Sequence, residues 1–358
     1  MKTRIISYDL IRVLAIIGVV AIHTENITSS PTNYLGGLSW WFANTIHSLI
    51  CISVPLFVML TGALLLNRKI LTYRNMLPKL LNRLLIPLIF WVLFYAWWVS
   101  YRQQTDFVGI SLHDIWTANI GHLYFLEIII GLYLVLPPIS AFIHRSSRYQ
   151  QKIVLIAITA LVVIAQSISF LLLKNYQMQN LLTLFLPFIC YLGWGYYLSA
   201  VKISNRTLVY YLVAIVVLVG QISMASYLNV VALNHQNTLF WTTRGGNYFW
   251  DPFSVPVLLL SLLVFLFVKN IKQVVPGIFK NKQITVYLNR LAVLSFGIYL
   301  VHPVLIEIID SSFNLAIHQV AFPLWIYYIV RTALVFVTAA IIVFLCSKLP
   351  LIKKAVGI

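Results

Sequence analysis

Apolar runs close to twenty residues long, each ended by a short polar or basic stretch, recur from one end of the chain to the other. A helix rises about 1.5 Å per residue, so about 20 apolar residues cross the roughly 30 Å hydrocarbon layer of a bilayer. Runs of that kind predict ten spans, at 5–24, 46–66, 84–101, 122–143, 153–173, 181–199, 208–228, 252–268, 290–309 and 324–346. The eighth is short as drawn. No internal repeat, low-complexity tract or Pro-rich linker separates them, so residues 1–358 are read as one all-α, polytopic transmembrane domain.

Charge turns the span count into a topology. Positive residues are retained on the cytoplasmic side of a membrane. With the N-terminus inside, 20 of the 25 Lys and Arg residues fall in cytoplasmic segments, three (Arg102, Lys174 and Arg244) in outer loops, and two (Arg12 and Arg331) within spans. That bias supports an even number of spans and places both termini in the cytoplasm. The acidic residues run the other way: Glu25, Asp106, Asp114, Glu127, Asp251, Glu307 and Asp310 lie at or near the outer side, and only Asp9 within. Acidic residues say little about topology, so their clustering is read as chemistry, a carboxylate-lined outer half.

Composition agrees with the spans: 61% hydrophobic residues, 9% charged and a mean hydropathy of +0.91 leave too little polar surface for a soluble fold. The net charge of +17 is spread over alternate loops, not gathered on one face or tail, which argues against nucleic acid. Cys51, Cys190 and Cys346 sit in apolar spans without paired spacing, so neither a disulfide framework nor a zinc site is indicated. Lys2 and Arg4 before an apolar run imitate a signal peptide, but no small-residue cleavage site follows, and the segment is read as a retained first helix. The inner loops near 67–83 and 269–289 are the longest and most basic, suited to an anionic cytosolic ligand. The longest outer loop, near 229–251, carries Trp241, Arg244, Tyr248 and Trp250. Such residues grip sugars, yet they also populate membrane interfaces, and the interfacial reading is ahead.

The first span holds two ionisable residues, Arg12 and His23, eleven residues and about 16 Å of helix apart. A charge at the centre of a membrane helix costs about 2.5–3.5 kcal/mol by insertion scales, so such residues mark a pathway or a reaction centre. Asp9, three residues before Arg12, can neutralise it. Arg331 is read as a structural ion pair with Glu127, Glu307 or Asp310. His302, beside Pro303, can bond a carbonyl that the proline frees. His47, His113, His144, His235 and His318 lie near loops or interfaces and receive no role.

Four separated segments share a resemblance. Arg12 and His23 stand in an Arg-x10-His spacing, and Ser53-Val54-Pro55-Leu56-Phe57-Val58-Met59-Leu60-Thr61-Gly62 follows in the second span. Gly121-His122-Leu123-Tyr124-Phe125-Leu126 with Tyr133 opens the fourth, and Ser295-Phe296-Gly297-Ile298-Tyr299-Leu300-Val301-His302-Pro303 lies in the ninth. In order and spacing these resemble the acyltransferase family 3 membrane proteins, in the stand-alone type without an appended esterase-like domain. Two positions depart from that pattern. An Arg-x-x-Arg pair is reduced to Arg83, with Leu80 in the other place and Lys79 one residue earlier, and a Trp is replaced by Tyr124.

The resemblance implies an integral membrane O-acyltransferase, most often an O-acetyltransferase, of a bacterial plasma membrane. It would move an acyl group from cytosolic acyl-CoA, acetyl-CoA above all, to a hydroxyl of a cell-surface polysaccharide or lipid-linked glycan. Acyl-CoA is then a substrate, with no bound cofactor and no metal. In that reading Arg12, Arg74, Lys79 and Arg83 meet the phosphates of CoA. His23 is the general base for the acceptor hydroxyl, or a nucleophile, with Glu25 or Glu127 orienting its ring. Tyr299 and His302 donate to the developing oxyanion or bind the acceptor. The reading from another class is a glycan or lipid exporter whose pathway these intramembrane charges line. The absence of inverted repeats and of paired broken helices speaks against it.

Overall fold

Nine helices long and apolar enough to cross a bilayer stand among the described residues of the computed structural model. Those residues are 5–25, 35–67, 70–104, 120–170, 183–234, 242–243, 246–313 and 323–357. In chain order the membrane helices are α1 (Ile6–Thr24), α2 (Leu38–Leu65), α3 (Tyr73–Arg102), α4 (Tyr124–Arg145) and α5 (Arg148–Ile168). A short helix, α6 (Ile189–Ser199), precedes α7 (Asn205–Ala232), α8 (Tyr248–Gln273), α9 (Lys282–Ser312) and α10 (Leu324–Cys346). The chain is all-α and polytopic. The extended segments among the described residues are two-residue ones, Thr242–Thr243 paired with Gly246–Asn247.

The sixth expected span, 181–199, differs from its expectation. Its helix is 11 residues long and begins only at Ile189. Pro187 disfavours helix in the residue before it. Residues 183–189 instead form tight turns, with Leu186 N–H donating to Thr183 O (3.0 Å) and Ile189 N–H to Leu186 O (3.1 Å). Backbone of this kind is tolerated at membrane depth only where protein encloses it. Here the burial begins only at its end: Thr183 and Leu186 are exposed, whereas Phe188 and, in the helix that follows, Cys190, Tyr191 and Leu192 are buried.

The same short helix lies against the second half of α2 at backbone distance. A Cβ on Gly62 would overlap the Leu192 carbonyl, and one on Gly195 would overlap that of Met59, so two glycines admit each other's helix. Below this crossing, Asn67 Nδ2 donates to Ser199 Oγ (2.7 Å). The contacts put α6 parallel to the second half of α2, the direction that an alternating ten-span topology requires of a sixth crossing. Lys269 closes its end by donating to the Leu198 carbonyl (2.9 Å), a cation at a helix C-terminus.

Burial separates centre from periphery. In its most apolar window α9 is 67% buried and α1 56%, against 11% for α5. The helices that carry His302 and His23 are therefore central, while α5 turns most of its surface outward to lipid. α5 is still well specified at its start, where Ser147 and Gln150 form a capping box: Gln150 N–H donates to Ser147 Oγ (3.3 Å) and Ser147 N–H to Gln150 Oε1 (2.9 Å). Several helices run beyond the expected spans, α3 from Tyr73 and α9 from Lys282, because the apolar signal marks only the lipid-facing part of a helix.

Candidate functional site

Three imidazoles meet where α1, α4 and α9 adjoin. His23 comes from the last turn of α1, His302 from α9, and His122 from the 3-10 turn Ile120–Leu123 that opens α4. The ring centres of His23 and His302 are 5.1 Å apart, and those of His122 and His302 5.8 Å. Tyr95 stands edge-on to His122 with ring centres 4.8 Å apart, and its hydroxyl donates to Leu300 O (2.9 Å). The Tyr299 hydroxyl donates to the His122 carbonyl. His302 is fully buried. His23 is exposed.

Pro303 dictates the state of His302. Proline has no N–H, so the carbonyl four residues earlier, that of Tyr299, loses its helical donor. His302 Nδ1 stands 2.7 Å from that oxygen. A carbonyl only accepts, so Nδ1 carries the ring proton and Nε2 of the neutral ring carries the lone pair. Nε2 is buried without a hydrogen-bond partner among the described residues. The donors once expected to serve an oxyanion, Tyr299 O–H and a His302 N–H, are thus both directed at backbone carbonyls in this structure.

α10 holds the turn that presents His23. Arg331 donates through Nε to Asp310 Oδ1 (2.9 Å), through Nη2 to Asp310 Oδ2 and through Nη1 to the Thr24 carbonyl. Tyr328 O–H donates to Ala21 O (3.1 Å), and the hydroxyls of Thr24 and Thr332 meet at 2.7 Å. The last carbonyls of a helix have no donor of their own; α10 supplies one to Thr24 O and adds a second to Ala21 O, which also accepts from Glu25 N–H (3.1 Å). Asp310 is therefore the partner of Arg331. Glu307 binds elsewhere, to Arg102 Nη1 (2.7 Å) and Trp98 Nε1 (2.6 Å).

Glu25 Oε2 lies 3.7 Å from Nδ1 of His47, whose ring stacks on Trp250 with centres 4.0 Å apart. Trp250 Nε1 donates to Ser48 Oγ (3.2 Å). Glu127, in the first turn of α4, has Oε2 enclosed without a hydrogen-bond partner among the described residues and is an electrostatic neighbour of Tyr299. Trp241, Arg244 and Gly245 of the outer loop lie outside the described residues.

A cavity of about 1010 Å³ opens on the side that the positive residues mark as cytoplasmic and reaches Tyr299, whose ring centre is 6.0 Å from that of His122 and 6.1 Å from that of His302. Its outer rim carries Arg12, Asp9, Arg83, Asn67, Ser199 and Gly357, and its walls include Phe57, Thr61, Tyr133 and Ser295. Phe125, Leu126 and Tyr299 form the deep end, one turn of α9 short of His302. Arg12 Nη1 is 4.0 Å from Asp9 Oδ1, the long limit of an ion pair. Arg83 belongs to a π turn, Leu81–Leu85, where Ile86 N–H bonds Leu81 O. Pro87 lacks the N–H that the Arg83 carbonyl would take in an α-helix, which favours such a bulge, and bulges of this kind gather at functional sites. Arg74 and Lys79 are exposed and do not line the cavity.

Two histidines of this region escaped sequence reasoning. His122 stood in a motif without a role, although a histidine next to the aromatic start of α4 was signal enough to consider it. His47 had no such signal, since its place beside Glu25 follows from α2 folding back along α1. Among the described residues no group of three His, Cys, Asp or Glu could hold a metal ion.

Comparison with the curated proteins and with the solved structures gave no match. A family model described as an acyltransferase domain matches residues 5–346, nearly the whole chain, and with it the segments that build the cavity and the histidine cluster. This multi-pass membrane protein belongs to acyltransferase family 3.

Proposed function

We propose that the chain moves an acyl group, most often acetyl, from cytosolic acyl-CoA to a hydroxyl of a cell-surface polysaccharide or lipid-linked glycan in a bacterial plasma membrane. The observation that carries this reading is the cavity itself, which runs from Arg12 and Arg83 to Tyr299, whose ring centre lies 6.0 Å from that of His122 and 6.1 Å from that of His302. Its volume of about 1010 Å³ stands at the upper end of the roughly 300–1,000 Å³ common for small-molecule sites. That suits a long donor better than a small metabolite. The phosphates of CoA would pair with Arg12 and Arg83 at the rim, as charge-assisted bonds to phosphate favour. The pantetheine arm would follow the wall of α9 past Ser295, and the thioester would come to rest near Tyr299.

His23 acts in this reading as the general base. A sugar hydroxyl is a poor nucleophile until its proton is removed as it attacks. His23 takes that proton while the oxygen bonds the thioester carbonyl carbon. Collapse of the tetrahedral adduct breaks the carbon–sulfur bond, and the departing thiolate recovers the proton from His23. The exposed surface of His23 leaves room for a hydroxyl to approach.

Binding and transfer test this together. Purified protein should bind acetyl-CoA saturably, less tightly as Arg12→Ala or Arg83→Ala and unchanged as His23→Ala. Membranes containing it should pass label from acetyl-CoA into ester linkages released by hydroxylamine, and His23→Ala should abolish this. Folded protein that binds neither acetyl-CoA nor a longer acyl-CoA would sink the reading in favour of a transport pathway.

A further inference from the structure

The geometry points to His302 as the positioning residue of His23: its Nε2 accepts the ring N–H of His23, fixing the tautomer whose other nitrogen faces the acceptor hydroxyl. This rests on the role proposed for His23 and supplies what that role lacks, a group to orient the base. In the general logic of a nucleophile and its base, a third group holds the imidazole in one tautomer. Carboxylates were the expected candidates. Yet Glu25 is turned to His47, and Glu127 Oε2 has no hydrogen-bond partner among the described residues, His23 included.

The histidine on α9 has the required features. Its Nδ1 proton is committed to the Tyr299 carbonyl at 2.7 Å, so Nε2 can only accept. That nitrogen is buried and unbonded among the described residues, and a buried acceptor left unmade is costly enough to ask for a donor. His23 is the nearer of the two imidazoles beside it, at 5.1 Å between ring centres against 5.8 Å for His122. An N···N separation of about 2.9 Å plus two ring radii of about 1.1 Å spans about 5.1 Å between ring centres. The ring centres are thus at the separation that such a bond requires. The result is a relay of orientation without any carboxylate. Pro303 frees the Tyr299 carbonyl, the carbonyl fixes His302, and His302 fixes His23.

The competing role is local: His302 only caps the carbonyl that Pro303 leaves bare. Two substitutions separate the roles because each keeps one end of the imidazole. The amide N–H of His302→Asn reaches the place of Nδ1 and caps the carbonyl, but nothing reaches His23. The amide oxygen of His302→Gln reaches the place of Nε2 and can accept from His23, and Pro303→Ala in the same chain returns a backbone donor to Tyr299. Label transfer from acetyl-CoA into hydroxylamine-labile ester should fall about 100-fold in His302→Asn. The His302→Gln/Pro303→Ala protein should stay within about tenfold of wild type, with the KM for acetyl-CoA unchanged in both. Ring 15N spectra of the purified protein should show His23 as one neutral tautomer in wild type and as a mixture in His302→Asn.

Activity in His302→Asn equal to or above that of His302→Gln/Pro303→Ala, whether both are low or both high, overturns the inference, as does an unchanged His23 tautomer. Failure of the underlying reading looks different. In that case wild type transfers no label, or His23→Ala transfers as well as wild type does.

Discussion

Replacing Arg331 by Met removes three bonds at once, two to Asp310 and one to the Thr24 carbonyl. The guanidinium is 6% exposed and the Asp310 side chain 33%. Breaking a fully buried ion pair by deleting one partner costs about 3–5 kcal/mol, because the other charge is stranded. Asp310 keeps a third of its surface and with it part of its hydration, so the cost here should be nearer ~2–3 kcal/mol. Met retains most of the apolar stem, which keeps loss of packing small. The Asp310→Asn variant should lose less, since an amide can still accept from the guanidinium, and the double variant should lose little more than Arg331→Met alone. That leaves a coupling of about 1–2 kcal/mol in a double-mutant cycle. Denaturant unfolding of the purified proteins in detergent measures the cycle. Because the same guanidinium holds the final turn of α1, the transfer rate of Arg331→Met should also fall about tenfold or more, as small misplacements of catalytic groups do. A loss below ~0.5 kcal/mol with no coupling to Asp310 would refute the claim that this pair is desolvated and ties α10 to the turn bearing His23.

Two further predictions use contrasts built into the structure. Affinity for acetyl-CoA should drop about tenfold, or 1.4 kcal/mol, in Arg12→Ala and in Arg83→Ala, whereas Arg74→Ala and Lys79→Ala, exposed and away from the cavity, should stay within about threefold. Equal losses at all four positions in a titration calorimeter would place the anion site on the basic loop and not in the cavity. For the glycines, Gly62→Ala should destabilise by about 1–3 kcal/mol, since the new methyl group meets the Leu192 carbonyl. Gly220→Ala, on a helix with nothing within reach of a Cβ, should stabilise by about 0.5–1 kcal/mol. Thermal unfolding of both in one detergent reads the opposite signs, and a tolerated Gly62→Ala would deny the backbone contact between α2 and α6.

Most of the fold was legible because a bilayer asks for one thing, apolar length, and nine of the ten expected spans are membrane-length helices among the described residues. The sixth crossing was the hard one. Its expected span, 181–199, contains Pro187, and the helix starts only beyond it, at Ile189. Hydropathy alone cannot distinguish a full helix from a short one preceded by turns. What makes the short form viable is the paired approach of Gly62 and Gly195, and two glycines more than a hundred residues apart announce nothing until their helices are known to touch.

The candidate site divides along the same line. An ionisable residue in a span announces that it has a partner, because the membrane makes an unpaired one expensive; it does not name that partner. Where the partner is local the sequence could name it: Asp9 for Arg12 at three residues' distance, and the carbonyl freed by Pro303 for His302. Where it is remote, the choice depends on which helices are neighbours. Arg331 had three carboxylates open to it, and the packing of α10 beside α9 selects Asp310. Glu25 was expected to serve His23, two residues away. Side chains two apart on a helix do not face each other, and Glu25, just past the end of α1, turns instead to His47 on α2. The orienting group for His23 therefore has to come from another helix, and α9 is the one that places an unbonded imidazole nitrogen beside it.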